Sequence, residues 1–271
     1  MVTIDNKVSS VLNRNLTKST SDVRSTFLEL ASGKRINKAS DDPASAAIIA
    51  QLAQELSTSQ AASRNISDGV SAISIADGAA TSIGDLNGRL SELAVQSANG
   101  TLSDSQRQTL DQEYQSTLSE INRIEGSTSF NGVQLLGSST NLQTGTSSDS
   151  NSQTQLNIPS LNTSSLGLSG QSIATQSGAK AALDASSNAG KTIGSARADL
   201  GATESRLNVA YDNLKTAAVN NEAARSSLAD VDYAEASARN VAAKITQQAG
   251  VALYSIGNTS QANVIQTLLR A

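Results

Sequence analysis

The chain has 271 residues, enough for one or two compact domains, yet only 2% are aromatic, with Trp 0, Phe 2 and Met 1. Such a shortage of large core-fillers suits helices packed side by side in thin layers and argues against thick globular domains. Cys 0 and His 0 exclude a disulfide framework, thiolate chemistry, Ser–His or Cys–His triads and His-based zinc sites. A net charge of −4 and a pI of about 4.9 supply no global basic field for nucleic acid.

The first predicted helix runs from Thr3 to Leu30, with Ile4, Val8, Val11, Leu12, Leu16, Val23, Phe27 and Leu30 on its apolar stripe. Residues 1–40 carry seven Lys/Arg against three Asp/Glu, a local balance of +4. With no Trp, and with acids breaking the basic face, this helix reads as a packing element rather than a membrane-surface one. Nothing in the chain is long and apolar enough to cross a bilayer, and the first residues lack the uninterrupted apolar segment of a cleaved secretion signal. If the protein is exported, it uses another route.

The helix stops in "ASGKRINKASDDP", where Gly33 offers a C-cap. In "SDDPASAAII" a second helix starts, with Asp42 as N-cap and Pro43 in the first turn. From Ile49 its stripe passes through Leu52, Leu56, Ile66, Val70, Ile73, Ala80, Ile83, Leu90 and Leu93, diluted at Ser59 and Ser63. Gly69, Gly78, Gly84 and Gly88 each weaken a lone helix by roughly 1 kcal/mol relative to Ala, so this one needs neighbours.

After "NGTLSDSQ", Ser103 and Gln106 form a capping box for a third helix lined by Leu110, Tyr114, Leu118, Ile121 and Ile124. Asn131-Gly132 marks a tight turn, and residues 137–180 read as small strands and loops. From Ile193 the positions Ala196, Leu200, Thr203, Leu207, Ala210, Leu214, Ala217, Asn221, Ala224, Leu228 and Val231 alternate in steps of three and four. That is a coiled-coil seam spanning on the order of 60 Å. A last stripe follows at Val241, Ile245, Ala249, Ala252, Leu253 and Ile256, then at Val264, Ile265, Leu268 and Leu269 in "QANVIQTLLRA".

One motif competes for a chemical role. "ASSNAGKT", Ala185 to Thr192, fits a relaxed phosphate-loop pattern in which Lys191 would reach phosphates and Thr192 would hold magnesium. The preceding "SGAKAALDA" is helix-prone rather than a buried strand, and no second nucleotide motif follows, so it reads as an accident at a helix start. Glu113, Glu120, Glu125 and Asp111 read as a solvated helix face, and "DVDY" lacks the Gly and spacing of a calcium loop. No catalytic constellation, metal site or cofactor is expected.

The motifs "SGKRINKASDDPA", "ELAVQSANGT", "SEINRI" with "FNGVQLL", "ADVDYAEASARNVAAKITQQAG" and "QANVIQTLLR" resemble bacterial flagellin, the subunit of the flagellar filament. They cover about the first 137 and last 85 residues, with only a short stretch where many flagellins insert large outer domains. The resemblance implies a mainly α fold, an elongated antiparallel coiled-coil rod built from both chain ends with a small β-hairpin region. It places 1–44 and 231–271 in an inner coiled coil, 45–136 and 181–230 in an outer rod, and 137–180 in a short variable region. The implied inner assembly surface comprises Ile4, Val8, Val11, Leu12, Leu16, Val23, Phe27, Val241, Ile245, Leu253, Val264, Leu268 and Leu269.

Implied partners are further copies in a helical homopolymer and an export chaperone on residues 231–271. Hook-associated junction and cap proteins at the polymer end complete the bacterial set. In a host, the implied partner is the flagellin-sensing Toll-like receptor. Arg89, Leu93 and Glu113 match that receptor's patch, Arg89 and Leu93 being expected on one helix face. Val264, Leu268 and Leu269 match the segment read by intracellular sensors. The implied setting is the extracellular filament, reached unfolded through the flagellar type III channel. A hook–filament junction protein is the alternative within the same class.

Overall fold

The computed structural model describes residues 2–269, with side chains at 9–257 and 259. Its elements in chain order begin with α1 (Val2–Ser32), α2 (Pro43–Ala98) and α3 (Asp104–Ser127). Two antiparallel hairpins follow, β1 (Ser129–Phe130) with β2 (Val133–Gln134) and β3 (Ser139–Gln143) with β4 (Gln153–Asn157). The chain closes with α4 (Gln176–Ala229) and α5 (Tyr233–Leu269). The fold is mainly helical with a small antiparallel β portion, as expected.

Local chemistry sets the ends of these elements. Gly33, at φ +70°, terminates α1 in a conformation that a Cβ would strain. Asp42 accepts from Ser45 N at 3.1 Å and starts α2. Hydrogen bonding from Ser45 holds the Asp42 carboxyl below its ordinary pKa. Its capping contribution is therefore present above the unfolded pKa, about 3.9, and is lost as pH falls through the lowered folded value. The capping box of α3 is complete: Gln106 N donates to Ser103 Oγ at 3.3 Å, and Ser103 N to Gln106 Oε1 at 2.9 Å. Asn131 (φ 50°) and Gly132 (φ 78°) make the two-residue turn that joins Phe130 to Val133.

The chain divides into two compact units, one drawn from the segments up to Gln54 and from Asn220 onward, the other Glu55–Val219. Within Glu55–Val219, α2 buries Ser59, Ala62, Ile66, Gly69, Ile73, Ala76, Ala80, Ile83, Asn87, Leu90, Ala94 and Ser97, in steps that alternate strictly between three and four. The matching seam of α4 buries Ala179, Ala182, Ser186, Ala189, Ile193, Ala196, Leu200 and Leu207. The two run antiparallel. Ser59 Oγ donates to Leu214 O at 3.3 Å, the Asp77–Arg197 ion pair spans 2.8 Å, and Asn87 Nδ2 donates to Ser186 O at 3.0 Å. From α3, Tyr114, Leu118 and Ile121 close the third side.

Three expectations need correction here. Residues 137–180 hold the expected small strands, β3 and β4, but Leu156, Ile158, Leu161, Leu166, Leu168 and Ile173 are buried in the same core, and α4 already begins at Gln176. Ser59 does not dilute the α2 seam but belongs to it, because its hydroxyl finds a carbonyl across the interface. Beyond Leu214 two positions of the α4 pattern move by one residue, from Ala217 to Ala218 and from Ala224 to Arg225, while Asn221 and Leu228 keep their expected places. Ala217 and Ala224 are exposed, while Ala218, Asn221, Arg225 and Leu228 are half-buried. Two successive steps of four, Ala210–Leu214–Ala218, form a stutter that locally unwinds a supercoil.

Leu90→Ala removes a fully buried side chain from this seam and is expected to cost about 2–5 kcal/mol. Val95→Ala, on the exposed face of the same helix, should change stability by no more than about 0.5 kcal/mol. Urea unfolding of the two variants, followed by circular dichroism, separates them; equal midpoints would contradict the seam.

Candidate assembly interface

In the unit formed by the chain ends, α1 and α5 pair side by side. The face of α1 turned to α5 carries Leu12, Leu16, Ser19, Val23, Thr26 and Leu30, in steps of four and three. The facing residues of α5 are Ala236, Asn240, Ala243, Gln247 and Gly250, again in fours and threes. Ala236, Ala243 and Gly250 recur every seven residues and leave room for the backbones to approach. A Cβ on Gly250 would meet Leu16 Cδ1 at 3.6 Å.

Polar groups join the pair. Ser19 Oγ donates to Ala243 O at 2.9 Å, Asn240 Nδ2 to Thr26 Oγ1 at 2.8 Å and Gln247 Nε2 to Thr20 Oγ1 at 3.0 Å. Such neutral bonds contribute about 1 kcal/mol each, and the Arg239–Glu29 pair at 3.2 Å adds at most about 1 kcal/mol. The antiparallel register is consistent throughout. Ser19 meets Ala243, and Thr26 meets Asn240.

Because small and polar residues take the inner face of α5, the branched apolar residues of that helix face out. Val241 is 53% exposed, Ile245 61% and Ile256 62%, with Val251, Leu253 and Tyr254 also exposed. On α1, Val11, Phe27 and Leu28 are exposed as well. Fully burying a side chain of this kind is worth about 1.5–3 kcal/mol. A run of them left to solvent marks an interaction surface.

The breaks between helices are knitted together within the same unit. Arg35 N donates to Ala229 O at 2.7 Å and Val231 N to Gly33 O at 3.1 Å, while Lys34 and Asp230 form an isolated bridge. The Arg35 guanidinium donates to Leu228 O at 2.8 Å, at the carboxyl end of α4 where positive charge is favoured. Asp232 then caps α5 by accepting from Ala234 N at 2.9 Å and Glu235 N at 3.1 Å. The motif-rich stretches "SGKRINKASDDPA" and "ADVDYAEA" thus meet each other.

Of the sequence-derived assembly residues, Leu12, Leu16 and Val23 line the α1·α5 seam, half-buried. Val11, Phe27, Val241, Ile245 and Leu253 point outward. The side chains of Ile4, Val8, Val264, Leu268 and Leu269 lie outside the described residues. Sequence reasoning missed Ser19, Thr26, Asn240 and Gln247, whose polarity masks their seam positions. The seven-residue recurrence of Ala236, Ala243 and Gly250 was the available signal.

The expected receptor patch is split. Arg89 is exposed and donates to Glu113 Oε1 at 2.6 Å and to Glu92 Oε2 at 3.0 Å. Those hydrogen bonds, Glu113 first, raise the pKa of the Arg89 guanidinium. Leu93 is 1% exposed and packed in the core, because the buried seam of α2 passes through Leu90 and Ala94 on either side of it. The phosphate-loop reading also fails. Ala185–Thr192 lies in the interior of α4, with neither a strand before it nor a helix start at it, and Thr192 Oγ1 bonds Asn188 O at 3.2 Å. Two carboxylates of the supposedly solvated α3 face do structural work. Asp111 Oδ1 accepts from Ile173 N at 2.7 Å, and buried Glu125 accepts from Ser160 Oγ at 2.6 Å. Among the described residues no acidic or His/Cys cluster suits a metal ion, and no helix is long and apolar enough to cross a membrane.

Residues 5–141 match the bacterial flagellin N-terminal helical region, and residues 183–268 match the bacterial flagellin C-terminal helical region. The chain belongs to the flagellin family. A flagellin of Halalkalibacterium halodurans is 34% identical over 243 residues, 89% of each chain. The flagellar filament 30.7 kDa core protein of Treponema maltophilum is 31% identical over 286 aligned residues, 99% of this chain and 100% of that one. A putative flagellar hook-associated protein from Vibrio parahaemolyticus shares the fold, with a TM-score of 0.58 over 70% of this chain and 100% of its own, at 14% identity. The two flagellin matches include most of α1 and most of α5, helices with exposed apolar residues.

Gly33 joins the knitted helix breaks, and a Cβ there would meet Tyr233 Oη at 3.0 Å in a left-handed backbone. Gly33→Ala is expected to cost about 1–2 kcal/mol from the backbone alone. Gly78→Ala, mid-helix with nothing within 4 Å, should instead stabilise by about 0.5–1 kcal/mol. Opposite shifts in thermal midpoint check the pair, and a neutral Gly33→Ala would contradict the assignment.

Proposed function

We propose that the chain is a structural, non-enzymatic subunit of a flagellar filament, joined to further copies through the outward apolar residues of α5 and α1. The observation that carries this reading is the exposure of Val241, Ile245, Leu253 and Ile256 on a helix whose inner face is already occupied. Identical copies that meet head to tail without closing make an open helical polymer rather than a ring. Part of the order of α1 and α5 then arises on assembly, since a two-helix pair joined by small residues has little apolar area of its own. The same exposed face explains a need for a chaperone on residues 231–271 before export without a cleaved signal. Hook-associated junction and cap proteins meet the polymer at its ends. With Leu93 inward, a flagellin-sensing Toll-like receptor would read Arg89 and Glu113 from the surface of α2 and α3.

The fold shared with a hook-associated protein favours one second reading, a junction subunit at the filament base. Purified full-length chain, seeded and imaged, separates the two, since a junction subunit does not elongate into long filaments.

Ile245→Asp places a charge on the outward face without touching the α1·α5 seam. It should leave monomer helicity unchanged while raising the critical concentration for polymerisation by about 30-fold or more, the equivalent of losing about 2 kcal/mol per contact. Ser148→Asp, in the exposed turn between β3 and β4, should leave elongation unchanged. Equal effects of the two would show that inside and outside are misplaced.

A further inference from the structure

Five buried side-chain atoms have no protein partner among the described residues: Asn87 Oδ1, Arg107 Nη1, Tyr114 Oη, Glu125 Oε2 and Ser186 Oγ. Two of these residues are tied down elsewhere. Arg107 Nη2 donates to Asn99 O and Leu102 O, and Glu125 Oε1 accepts from Ser160 Oγ. The other three come together from three helices. Asn87 Nδ2 donates to Ser186 O at 3.0 Å, and only an amide nitrogen can donate to a carbonyl, so the amide's orientation is settled and Oδ1 is left as an acceptor. On the α3 side, the Tyr114 hydroxyl faces that of Ser186. Burial pushes its pKa up, and the Ser186 hydroxyl offsets part of that rise. All three side chains are more than nine-tenths buried.

Buried orphans of this kind carry a desolvation cost, and native cores rarely leave several in one place. A direct bond between the two hydroxyls would satisfy Tyr114 and Ser186 but leave Asn87 Oδ1 bare. A hydroxyl carries one hydrogen and two acceptor sites, whereas an amide oxygen only accepts. One water satisfies all three: it donates to Asn87 Oδ1 and to one hydroxyl oxygen, and it accepts from the other hydroxyl. Three partners is the usual number for an internal water.

We infer that Asn87, Tyr114 and Ser186 form a binding site for one internal water molecule where α2, α3 and α4 meet. The site is a positioning device. Asn87 occupies one layer of an otherwise mostly apolar seam, and the water extends its cross-helix bond to the third helix. Because a water turns freely to find its donors and acceptors, the three helices keep their polar atoms paired through small relative shifts.

A density map of the full-length chain at about 2 Å or better, from crystals or the assembled polymer, tests this. The expected result is a peak at about 2.6–3.2 Å from Asn87 Oδ1, Tyr114 Oη and Ser186 Oγ. That peak should be lost in the Tyr114→Phe/Ser186→Ala double variant, which retains Asn87 Nδ2 to Ser186 O. In solution, magnetisation transfer from long-lived water to the Asn87 side-chain amide should be present in the unaltered chain and absent in the double variant. A map with the two hydroxyls in direct contact and no peak beside Asn87 would overturn the site. So would water transfer that the double variant leaves unchanged.

Discussion

The close approach of α1 and α5 through small residues is the constraint on which the rest depends. Ala236, Ala243 and Gly250 bring the backbones together, and Ser19, Thr26, Asn240 and Gln247 supply directional bonds between them. That arrangement specifies a register, and the apolar seam residues, Leu12, Leu16, Val23 and Leu30, all come from α1 and are only half-buried. It also decides where everything larger must go. Val241, Ile245, Leu253 and Ile256 cannot share the inner face, so they stand on the outer one. Hydrophobic stabilisation follows apolar area removed from water, and the branched apolar side chains of α5 are left exposed in the single chain.

The Glu55–Val219 unit solves the opposite problem. Its seams place Ile66, Ile73, Ile83, Leu90, Ile193, Leu200 and Leu207 inside, and Tyr114, Leu118 and Ile121 complete a three-sided core. It therefore covers a continuous apolar core within the chain, although Ile75, Val95, Val133, Val209 and Val219 stay exposed. Charge is divided in the same sense. Residues 55–219 carry nine Lys/Arg against fifteen Asp/Glu, a balance of −6, whereas the chain ends carry eleven against nine, a balance of +2. Like-charged acidic units repel when packed side by side, and salt screens that repulsion over about 10 Å at 0.1 M. If, as proposed, apolar contacts at the chain ends drive association and charge elsewhere opposes it, assembly strengthens with ionic strength.

Much of this was legible in the residues themselves. The Asp42 cap, the Ser103–Gln106 box, the Gly33 stop and the Asn131-Gly132 turn are local devices, and each appears where the local signal put it. What failed was orientation. An apolar stripe says that a helix has something to bury but not which neighbour buries it, and on α5 the intrachain neighbour takes the small polar face instead. Leu93 shows the converse. Four residues from Arg89 it looks like part of one surface, yet the α2 seam runs past Leu90 and Ala94 and draws it inside. The burial of residues 156–173 was hard to read for a different reason. Leu156 and Ile158 keep a strand spacing at the end of β4, but Leu161, Leu166 and Leu168 lie in irregular chain, and their burial comes from a path that only tertiary contacts define.

The central claim is that the outer face of α5 is open in the single chain and closed in the polymer. Hydrogen–deuterium exchange of residues 241–256, measured on the monomer and on seeded filaments of the same protein, tests it most directly. Exchange slowed by about 100-fold or more in the filament, with amides of the Leu90 and Leu200 core protected alike in both states, is the predicted result. Equal protection of 241–256 before and after assembly would contradict it.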